Sequence, residues 1–397
     1  MFETLSLLPV DPILGLMQLY RNDSRVSKVD LGVGVYKNDQ GLTPVLSSVQ
    51  KAEARLIAHQ TTKSYVAPAG SADFIAGMSE LVFGDVLLGQ GGRLAAVQTP
   101  GGCGALRIAA ELIRVAKPDT VLWVSDPTWG NHIPLLGNAG LSLKKYPYLD
   151  SAQTQLDWPA MQATLLQAKA GDVVLLHACC HNPSGVDLSM QQWQWLTELC
   201  LENSLLPFVD MAYQGFGVSV DEDACGLRYM ASKLPEMLVA VSCSKNFGLY
   251  RERVGLVAAL SASQSAAAKV QSHFLSIVRG IYSMPPNHGA EIVANILSSE
   301  ELKAEWLQEV AEMRTRISDL RVKFVLAMQH LGYERFNFVV EQKGMFSFLG
   351  LTATQVEWLA QEKGIYMLSS SRASIAGLTQ DNVTYVCSSV VESLSRL

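Results

Sequence analysis

The sequence predicts an α/β fold, in which helices flank a mostly parallel sheet, together with a smaller α+β domain. Between residues 94 and 260, short apolar runs alternate with longer amphipathic stretches, the pattern of repeated strand–helix–strand units. A loop rich in Gly, Pro and polar residues follows each apolar run. After residue 301 the pattern changes to a long charged helix followed by short strands, which indicates the second domain.

Five apolar runs account for the strands predicted from the sequence. They lie at residues 95–97, 121–124, 173–176, 206–209 and 238–241. Ligands of parallel sheets bind beyond the carboxyl ends of the strands, so we expect the five following loops to meet at one edge. In the smaller domain the sequence predicts a helix over 301–328, strands around 344–348 and a terminal helix near 381–394.

Composition limits the classes of function that the chain can have. With 397 residues, 49% of them hydrophobic, it is long enough for two domains. Its net charge of -6 argues against nucleic acid or an anionic membrane as a partner. No apolar run is long enough to span a membrane, and the first residues lack the cationic start of a signal peptide, so we expect a cytoplasmic protein. Seven cysteines without a C-x-x-C pair predict free thiols and no metal site.

Lys245 follows the last apolar run, in a segment of small and hydroxyl-bearing residues. An amine at the end of a buried strand is able to form a Schiff base with a carbonyl compound. Ser242 and Arg253 lie close to it in the chain and are suited to holding a phosphate. Together these are the groups that pyridoxal phosphate needs. Most lysines are only solvated, and Lys245 taken alone fits that interpretation as well.

Gly102 and Cys103 lie in a glycine-rich turn that follows one strand and opens a helix. Backbone N–H groups at such a helix start are able to bind a phosphate, although a plain tight turn explains the glycines equally well. Neither the P-loop nor the spaced dinucleotide fingerprint occurs here, which argues against a nucleotide-binding fold.

Three polar residues follow neighbouring strands and suit a pyridine ring that bears a hydroxyl group. Asp210 ends an apolar run, where its carboxylate needs a cation such as a protonated ring nitrogen, or else serves as a helix N-cap. Asn182 and Tyr213 offer hydrogen bonds to a phenolate oxygen, but the Asn-Pro-Ser-Gly sequence of 182–185 is also a good turn.

Trp129 and Arg372 are the remaining candidates that the residues themselves indicate. Trp129 is able to cover the face of an aromatic ring, or else is ordinary packing at a strand end. Arg372 lies among small residues, where a guanidinium is able to hold a carboxylate through two parallel hydrogen bonds. An isolated surface charge is the alternative interpretation.

Five segments carry a resemblance to a known family. They are Asp-Pro-Thr-Trp at 126–129, His-Asn-Pro-Ser-Gly at 181–185, Asp-Met-Ala-Tyr-Gln-Gly-Phe at 210–216, Ser-Cys-Ser-Lys-Asn-Phe-Gly-Leu-Tyr-Arg-Glu-Arg at 242–253 and Ser-Arg-Ala-Ser-Ile-Ala-Gly at 371–377. In order and spacing they resemble the class I aspartate and aromatic amino acid aminotransferases. The resemblance extends to residues 11–14 and 31–36, so it covers nearly the whole chain.

The resemblance implies a fold-type I pyridoxal phosphate enzyme with a seven-stranded sheet. It implies an N-terminal arm at 1–13, a large cofactor domain at 45–310 and a small domain formed by 14–44 and 311–397. It also implies a homodimer whose two active sites are shared between the subunits, acting on amino acids and 2-oxo acids.

The resemblance also assigns roles to individual residues. Lys245 is implied to form the Schiff base and to move the Cα proton, with Asp210 and Tyr213 as the other catalytic residues. The implied cofactor contacts are Asp210 to the ring nitrogen, Asn182 and Tyr213 to the 3-oxygen, Trp129 to the ring face, and Gly102, Cys103, Ser242, Arg253 and a neighbouring subunit's Tyr65 to the phosphate. The implied substrate contacts are Arg372 to the α-carboxylate, Arg279 from the other subunit to a side-chain carboxylate, Trp129, Asn182, and Gly34 on the segment that covers the substrate.

Three positions depart from the aspartate-type pattern and bear on the substrate. Cys103 replaces a serine or threonine, which weakens one contact to the phosphate because a thiol is a poor donor. Ser64 and Met284 each replace an asparagine, which makes the pocket more apolar and adaptable. Other positions keep the aspartate-type residue, namely Val35, Lys37, Thr43 and Arg279. We therefore expect transamination of phenylalanine, tyrosine and tryptophan with 2-oxoglutarate, together with activity on aspartate and glutamate.

Three alternatives compete with this hypothesis. The nearest is an aspartate aminotransferase with weak aromatic activity. A pyridoxal phosphate lyase or decarboxylase would use the same lysine, but the pair Arg372 and Arg279 disfavours it. A non-catalytic regulator would carry a basic helix-turn-helix extension, which this sequence lacks.

Overall fold

A seven-stranded sheet forms the centre of the protein, for which a computed structural model describes residues 1–150, 152 and 154–396. The strands of this sheet and of two small sheets are β1 Val29–Asp30, β2 Leu94–Pro100, β3 Val121–Asp126, β4 Ser142–Pro147, β5 Val173–His177, β6 Leu206–Met211, β7 Met237–Ser242, β8 Val254–Leu260, β9 Phe346–Phe348, β10 Ile365–Tyr366 and β11 Arg372–Ser374. The central order is β2-β8-β7-β6-β5-β3-β4, and β8 runs antiparallel to both of its neighbours. The predicted α/β fold with a mostly parallel seven-stranded sheet is confirmed.

Helices cover both faces of this sheet. Their bounds are α1 Pro12–Asn22, α2 Ser47–His59, α3 Ala72–Phe83, α4 Gly101–Ala116, α5 His132–Gly137, α6 Trp158–Leu165, α7 Met190–Glu202, α8 Cys225–Lys233, α9 Gln264–Ile281, α10 His288–Ser298, α11 Glu300–His330, α12 Phe338–Glu341, α13 Ala353–Lys363 and α14 Val383–Arg396. Alternate strand residues enter the two cores: Leu238 and Ala240 of β7 lie in one, Val239 and Val241 in the other. Strands that are buried on both faces have no polar side, which explains why their sequences are continuous apolar runs.

The sequence did not predict β4 and β8. Lysines interrupt β4, an edge strand, at positions that face solvent. Strand β8 is buried along its whole length and returns antiparallel to β7 after the loop at 243–253. That loop carries Lys245, so both of its ends are held by the sheet.

The C-terminal third follows the sequence-based expectation closely. Helix α11 spans Glu300–His330, where 301–328 was predicted, and β9 and α14 lie at the other two predicted places. Strand β1 pairs with β10, and β9 pairs with β11, so residues 29–30 join the C-terminal segment. No helix among the described residues has the length and apolarity to cross a membrane. The proposed domain limits stay a prediction.

Candidate active site

A cavity of about 200 Å³ lies at the carboxyl ends of the central strands. Residues from all five of the predicted loops line it. They are Gly102, Cys103, Leu106, Trp129, His177, Cys179, Asn182, Asp210, Ala212, Tyr213, Ser242, Ser244, Lys245 and Arg253. The expectation that these loops meet at one edge of the sheet is confirmed.

Helix α11 holds the loop that carries Lys245. The indole N–H of Trp306 donates to the carbonyl of Asn246 at 2.8 Å, and the Trp306 ring stacks on Phe247 at 4.5 Å between centroids. The Lys245 Nζ atom lies 4.8 Å from the centre of the Tyr213 ring. Burial lowers the pKa of the Lys245 amine, so a larger fraction is neutral and able to act as a nucleophile or base.

Asp210 lies inside β6, so the alternative that it caps a helix is wrong. Its Oδ2 atom is 3.1 Å from Nε2 of His132, a side chain without solvent exposure. Burial acts to raise the pKa of Asp210, but the hydrogen bond with His132 and the nearby Lys245 outweigh it, so the pKa is lowered. The site therefore keeps a buried carboxylate ionised, ready for a cationic partner.

A chain of hydrogen bonds continues from Asp210 behind the cavity. The Thr128 hydroxyl lies 2.8 Å from Nδ1 of His132 and 3.4 Å from Nε2 of His177. The backbone N–H of Asn182 donates to Nδ1 of His177 at 3.4 Å. Burial lowers the pKa of His177 to about 3, so its ring is neutral. The four hydrogen bonds are then satisfied when Asn182 donates to His177, His177 to Thr128, Thr128 to His132 and His132 to Asp210.

Arg372 is buried, with 4% of its surface exposed, so the surface-charge interpretation is wrong. Its guanidinium donates to the Gly32 carbonyl at 2.6 Å and to Oδ1 of Asn182 at 3.4 Å, and lies 4.2 Å from the centre of the Phe346 ring. The Nε atom has no hydrogen-bond partner in the described structure. Asn182 in turn donates to the Tyr213 hydroxyl at 3.3 Å. A buried guanidinium with a free donor suits a carboxylate ligand.

The start of α4 has the features of an anion-binding site. No side chain caps this helix, which leaves the N–H groups of its first turn without partners inside the helix. A Cβ atom at Gly101, where φ is +72°, would clash with the Arg253 guanidinium. One at Gly102 would lie 3.0 Å from Cβ of Ser242. Glycine therefore allows the cation and the hydroxyl to approach the helix start.

Four predicted residues lie outside the lining of this cavity, and one of them is Arg372, which contacts the lining residue Asn182. Tyr65 is 94% exposed, and Arg279 is exposed and donates to the Ser283 hydroxyl. Gly34 lies against Phe346, whose ring would be 3.0 Å from a Cβ atom at that position. One chain by itself therefore brings together the residues predicted to contact the cofactor ring and phosphate, with the exception of Tyr65. It does not bring Arg279, predicted to contact the substrate, to this cavity.

Comparison with known proteins decides the family. Residues 26–390 match the family model "Aminotransferase class I and II". The chain is 49% identical over 381 residues to an aromatic-amino-acid aminotransferase of Pseudomonas aeruginosa, covering 95% of each chain. It is 47% identical over 396 residues to an aspartate aminotransferase of Salmonella typhi, covering 99% of this chain and all of that one. The chain belongs to the class I and II aminotransferase family.

Among solved structures, this aminotransferase is similar to the aromatic-amino-acid aminotransferase of Burkholderia pseudomallei, described as covalently bound to pyridoxal phosphate. The two share 40% identity over 99% of each chain, with a TM-score of 0.96. Pyridoxal phosphate is the cofactor of this aminotransferase, and the cavity fits it. The cavity offers a lysine amine, an ionised carboxylate and an uncapped helix start beside a guanidinium.

Sequence reasoning missed several residues of the site. They are Thr128, His132, His177, Ser244 and Phe346. His177 ends β5 and is the register partner of Asp210 on β6, so a polar residue at the end of an apolar run was an available signal. His132 lies on a short helix, and nothing in its local sequence indicates that it reaches Asp210.

One group of metal-type side chains occurs within the described residues, although none was predicted. Ligand atoms of Cys179, Cys180 and Asp223 lie within 4.8 Å of one another. The Asp223 carboxylate already accepts backbone N–H groups of Gly215, Gly217 and Val218 at 2.8 to 2.9 Å. Its oxygens are thus used within the fold. All seven cysteines are free, and five of them are buried.

Proposed function

We propose that this aminotransferase transfers the amino group of phenylalanine, tyrosine or tryptophan to 2-oxoglutarate and also accepts aspartate and glutamate. The observation that carries the proposal is that Lys245 and the ionised Asp210 line one cavity together with Tyr213 and Asn182, and that the buried Arg372 donates to Asn182. An amine, a carboxylate and a guanidinium in this arrangement serve an amino acid bound by its α-carboxylate.

The chemistry divides between the cofactor and these side chains. Bound pyridoxal phosphate supplies the electron sink that acidifies the Cα–H bond of the substrate. Lys245 Nζ accepts that proton and returns it, because its lowered pKa makes the neutral amine available. Asp210 holds a cationic ring nitrogen, and Asn182 and Tyr213 hold an oxygen at the ring edge. Arg372 orients the substrate by its α-carboxylate.

A second copy of the chain completes the site in this proposal. Tyr65 and Arg279 are exposed and lie outside the cavity of their own chain, although the resemblance assigns them to cofactor and substrate. The first ten residues expose an unusual amount of apolar surface, with Phe2 78%, Leu7 101% and Leu8 81% exposed. Apolar surface of this extent supports burial against a partner subunit.

The side-chain preference rests on a few positions. Overall identity does not discriminate, because the aromatic and aspartate relatives are 49% and 47% identical to this chain. Cys103 lines the cavity itself, whereas Ser64 and Met284 do not. Ser64 precedes Tyr65 and Met284 follows Arg279 by five positions, so in the proposed dimer we assign both to the site of the partner subunit. Their less polar side chains favour an aromatic substrate, while Arg279 of the partner subunit serves dicarboxylates.

Measuring kcat/KM for phenylalanine, tyrosine and aspartate with 2-oxoglutarate tests the proposal. We expect the aromatic substrates to equal or exceed aspartate. A value for phenylalanine about a thousandfold or more below aspartate would favour the alternative, an aspartate aminotransferase. A 2-oxo acid product without amino transfer to 2-oxoglutarate would indicate a different class of pyridoxal phosphate enzyme. The cytoplasmic location stays a prediction.

A further inference from the structure

The backbone of residues 31–44, which we call the lid segment, is hydrogen-bonded to the loop that carries the lysine. This segment connects β1 with α2 and includes Gly34. In its middle, the backbone N–H of Tyr36 donates to the hydroxyl of Tyr250 at 2.9 Å. The Tyr36 residue is 7% exposed, so this bond lies in a largely buried place. A buried N–H that loses its acceptor destabilises the arrangement that buries it.

Tyr250 belongs to the cofactor side of the site. It follows Lys245 by five positions, and its backbone carbonyl accepts a hydrogen bond from Arg253 at 3.4 Å. Its side-chain hydroxyl faces the other way, towards the lid segment. Burial raises the pKa of Tyr250 to about 12, so the hydroxyl stays protonated. One residue therefore contacts the phosphate-binding arginine through its backbone and the lid segment through its side chain.

Two arginines outside the lysine loop also contact the lid segment. Arg372 donates to the Gly32 carbonyl at 2.6 Å. Arg316 of α11 pairs with Asp39 at 3.0 Å and lies 5.6 Å from the centre of the Tyr36 ring. Within the described residues, the Tyr250 hydroxyl makes the one hydrogen bond between residues 31–44 and residues 245–253. Removing it deletes that hydrogen bond and leaves the contacts with Arg372 and Arg316 in place.

We propose that Tyr250 is a positioning residue that holds the lid segment against the lysine loop when substrate binds. The inference rests on the proposed function, in which Gly34 and Arg372 enclose an amino acid. The hydroxyl contacts the lid backbone and not the substrate, so its loss lowers the fraction of enzyme in the closed arrangement. The apparent affinity for substrate falls by that fraction. All amino acid substrates are affected alike.

Tyr250→Phe tests this inference because it removes the hydroxyl and keeps the ring and the backbone carbonyl. We expect KM to rise about 2- to 10-fold for aspartate and for phenylalanine, as one neutral hydrogen bond is worth, while kcat changes less than about twofold. Hydrogen exchange of residues 31–44 should accelerate by a similar factor in the enzyme without substrate. The dissociation constant of pyridoxal phosphate should stay unchanged, because the Arg253 contact is retained.

Tyr146→Phe is the matched control. The Tyr146 hydroxyl is also buried and donates to the Leu175 carbonyl at 2.8 Å, inside the central sheet. This control should leave KM and the exchange of residues 31–44 unchanged. Equal exchange in wild type and Tyr250→Phe would overturn the inference, and so would a loss of cofactor affinity as large as the change in KM. Absence of transamination in the wild type would instead overturn the proposed function, since the exchange measurement needs no turnover.

Discussion

His132 Nε2 lies 3.1 Å from Oδ2 of Asp210, and the two side chains meet although 78 positions separate them in the chain. Nδ1 of the imidazole accepts a hydrogen bond from the Thr128 hydroxyl, which leaves Nε2 as the donor to Asp210. This hydrogen bond keeps the pKa of Asp210 low in a place where burial alone acts to raise it. The charge of the carboxylate proposed to bind the cofactor thus depends on a residue that the sequence did not indicate.

Replacing His132 with Leu should lower kcat/KM about 10- to 100-fold, because a hydrogen bond to a charged group is lost. The pKa of Asp210 then rises, and the carboxylate is protonated at a higher pH than in the wild type. The acid limb of the pH profile of kcat/KM should therefore move to higher pH. His330→Leu, at an exposed position on α11, is the control and should leave the profile unchanged. An unmoved acid limb in His132→Leu would contradict the assigned role.

Hybrid dimers should show whether Arg279 acts in the cavity of its own chain or of the partner. Lys245→Ala should lower kcat at least about a thousandfold, since the proton-transferring amine is lost. Arg279→Leu should impair aspartate far more than phenylalanine, because an unpaired carboxylate in a dry pocket costs about 1–3 kcal/mol or more.

Mixing the two variants in equal amounts with subunit exchange should restore about a quarter of the wild-type activity on aspartate. In a hybrid dimer with shared sites, one cavity keeps Lys245 and receives an intact Arg279 from the partner subunit. If both residues served the same chain's cavity, each cavity of the hybrid would carry one defect. No recovery of activity would then be observed.

Cys103→Ser should strengthen cofactor binding. A thiol is a weak donor, and Cys103 lines the cavity at the first turn of α4, where a hydroxyl would supply one further hydrogen bond to a phosphate. The dissociation constant of pyridoxal phosphate from the apoenzyme should fall about 2- to 10-fold. Cys225→Ser, at the other partly exposed cysteine, should leave it unchanged. Equal or weaker binding by Cys103→Ser would show that residue 103 does not contact the phosphate.

The stability of the protein should carry a pH signature from Asp187. Burial raises the pKa of Asp187 to about 6, although its carboxylate accepts the N–H groups of Cys180 and His181 at 2.8 Å each. A raised carboxyl pKa favours the folded state at low pH, and this contribution is lost as pH rises from about 4 to about 6. The wild type should therefore lose stability relative to Asp187→Asn across this range, by at most about 1.4 kcal/mol per pH unit. Urea titrations of both proteins at pH 4, 5, 6 and 7 measure the difference. A constant difference would place the pKa of Asp187 outside this window.

The sequence by itself determined the strands that end at the cavity and the residues that follow them. Lys245, Asp210 and Asn182 each come directly after an apolar run or within a few residues of one, and the carboxyl ends of parallel strands must share one edge. Local sequence is sufficient for this part of the site, because each residue is placed by its own strand. The glycines at the start of α4 were recognisable for the same reason.

Only the tertiary structure decided which residues from distant parts of the chain contact Asp210 and the lid segment. His132 reaches Asp210 because α5 packs against the sheet, and Tyr250 meets Tyr36 because the lid segment crosses from β1 to α2. Contacts between residues 78 and 214 positions apart depend on how separate elements pack, and no local pattern encodes them. Lys245 could therefore be proposed as the reactive group from the sequence, whereas the hydrogen bond that keeps Asp210 ionised and the bond between Tyr250 and the lid segment could not.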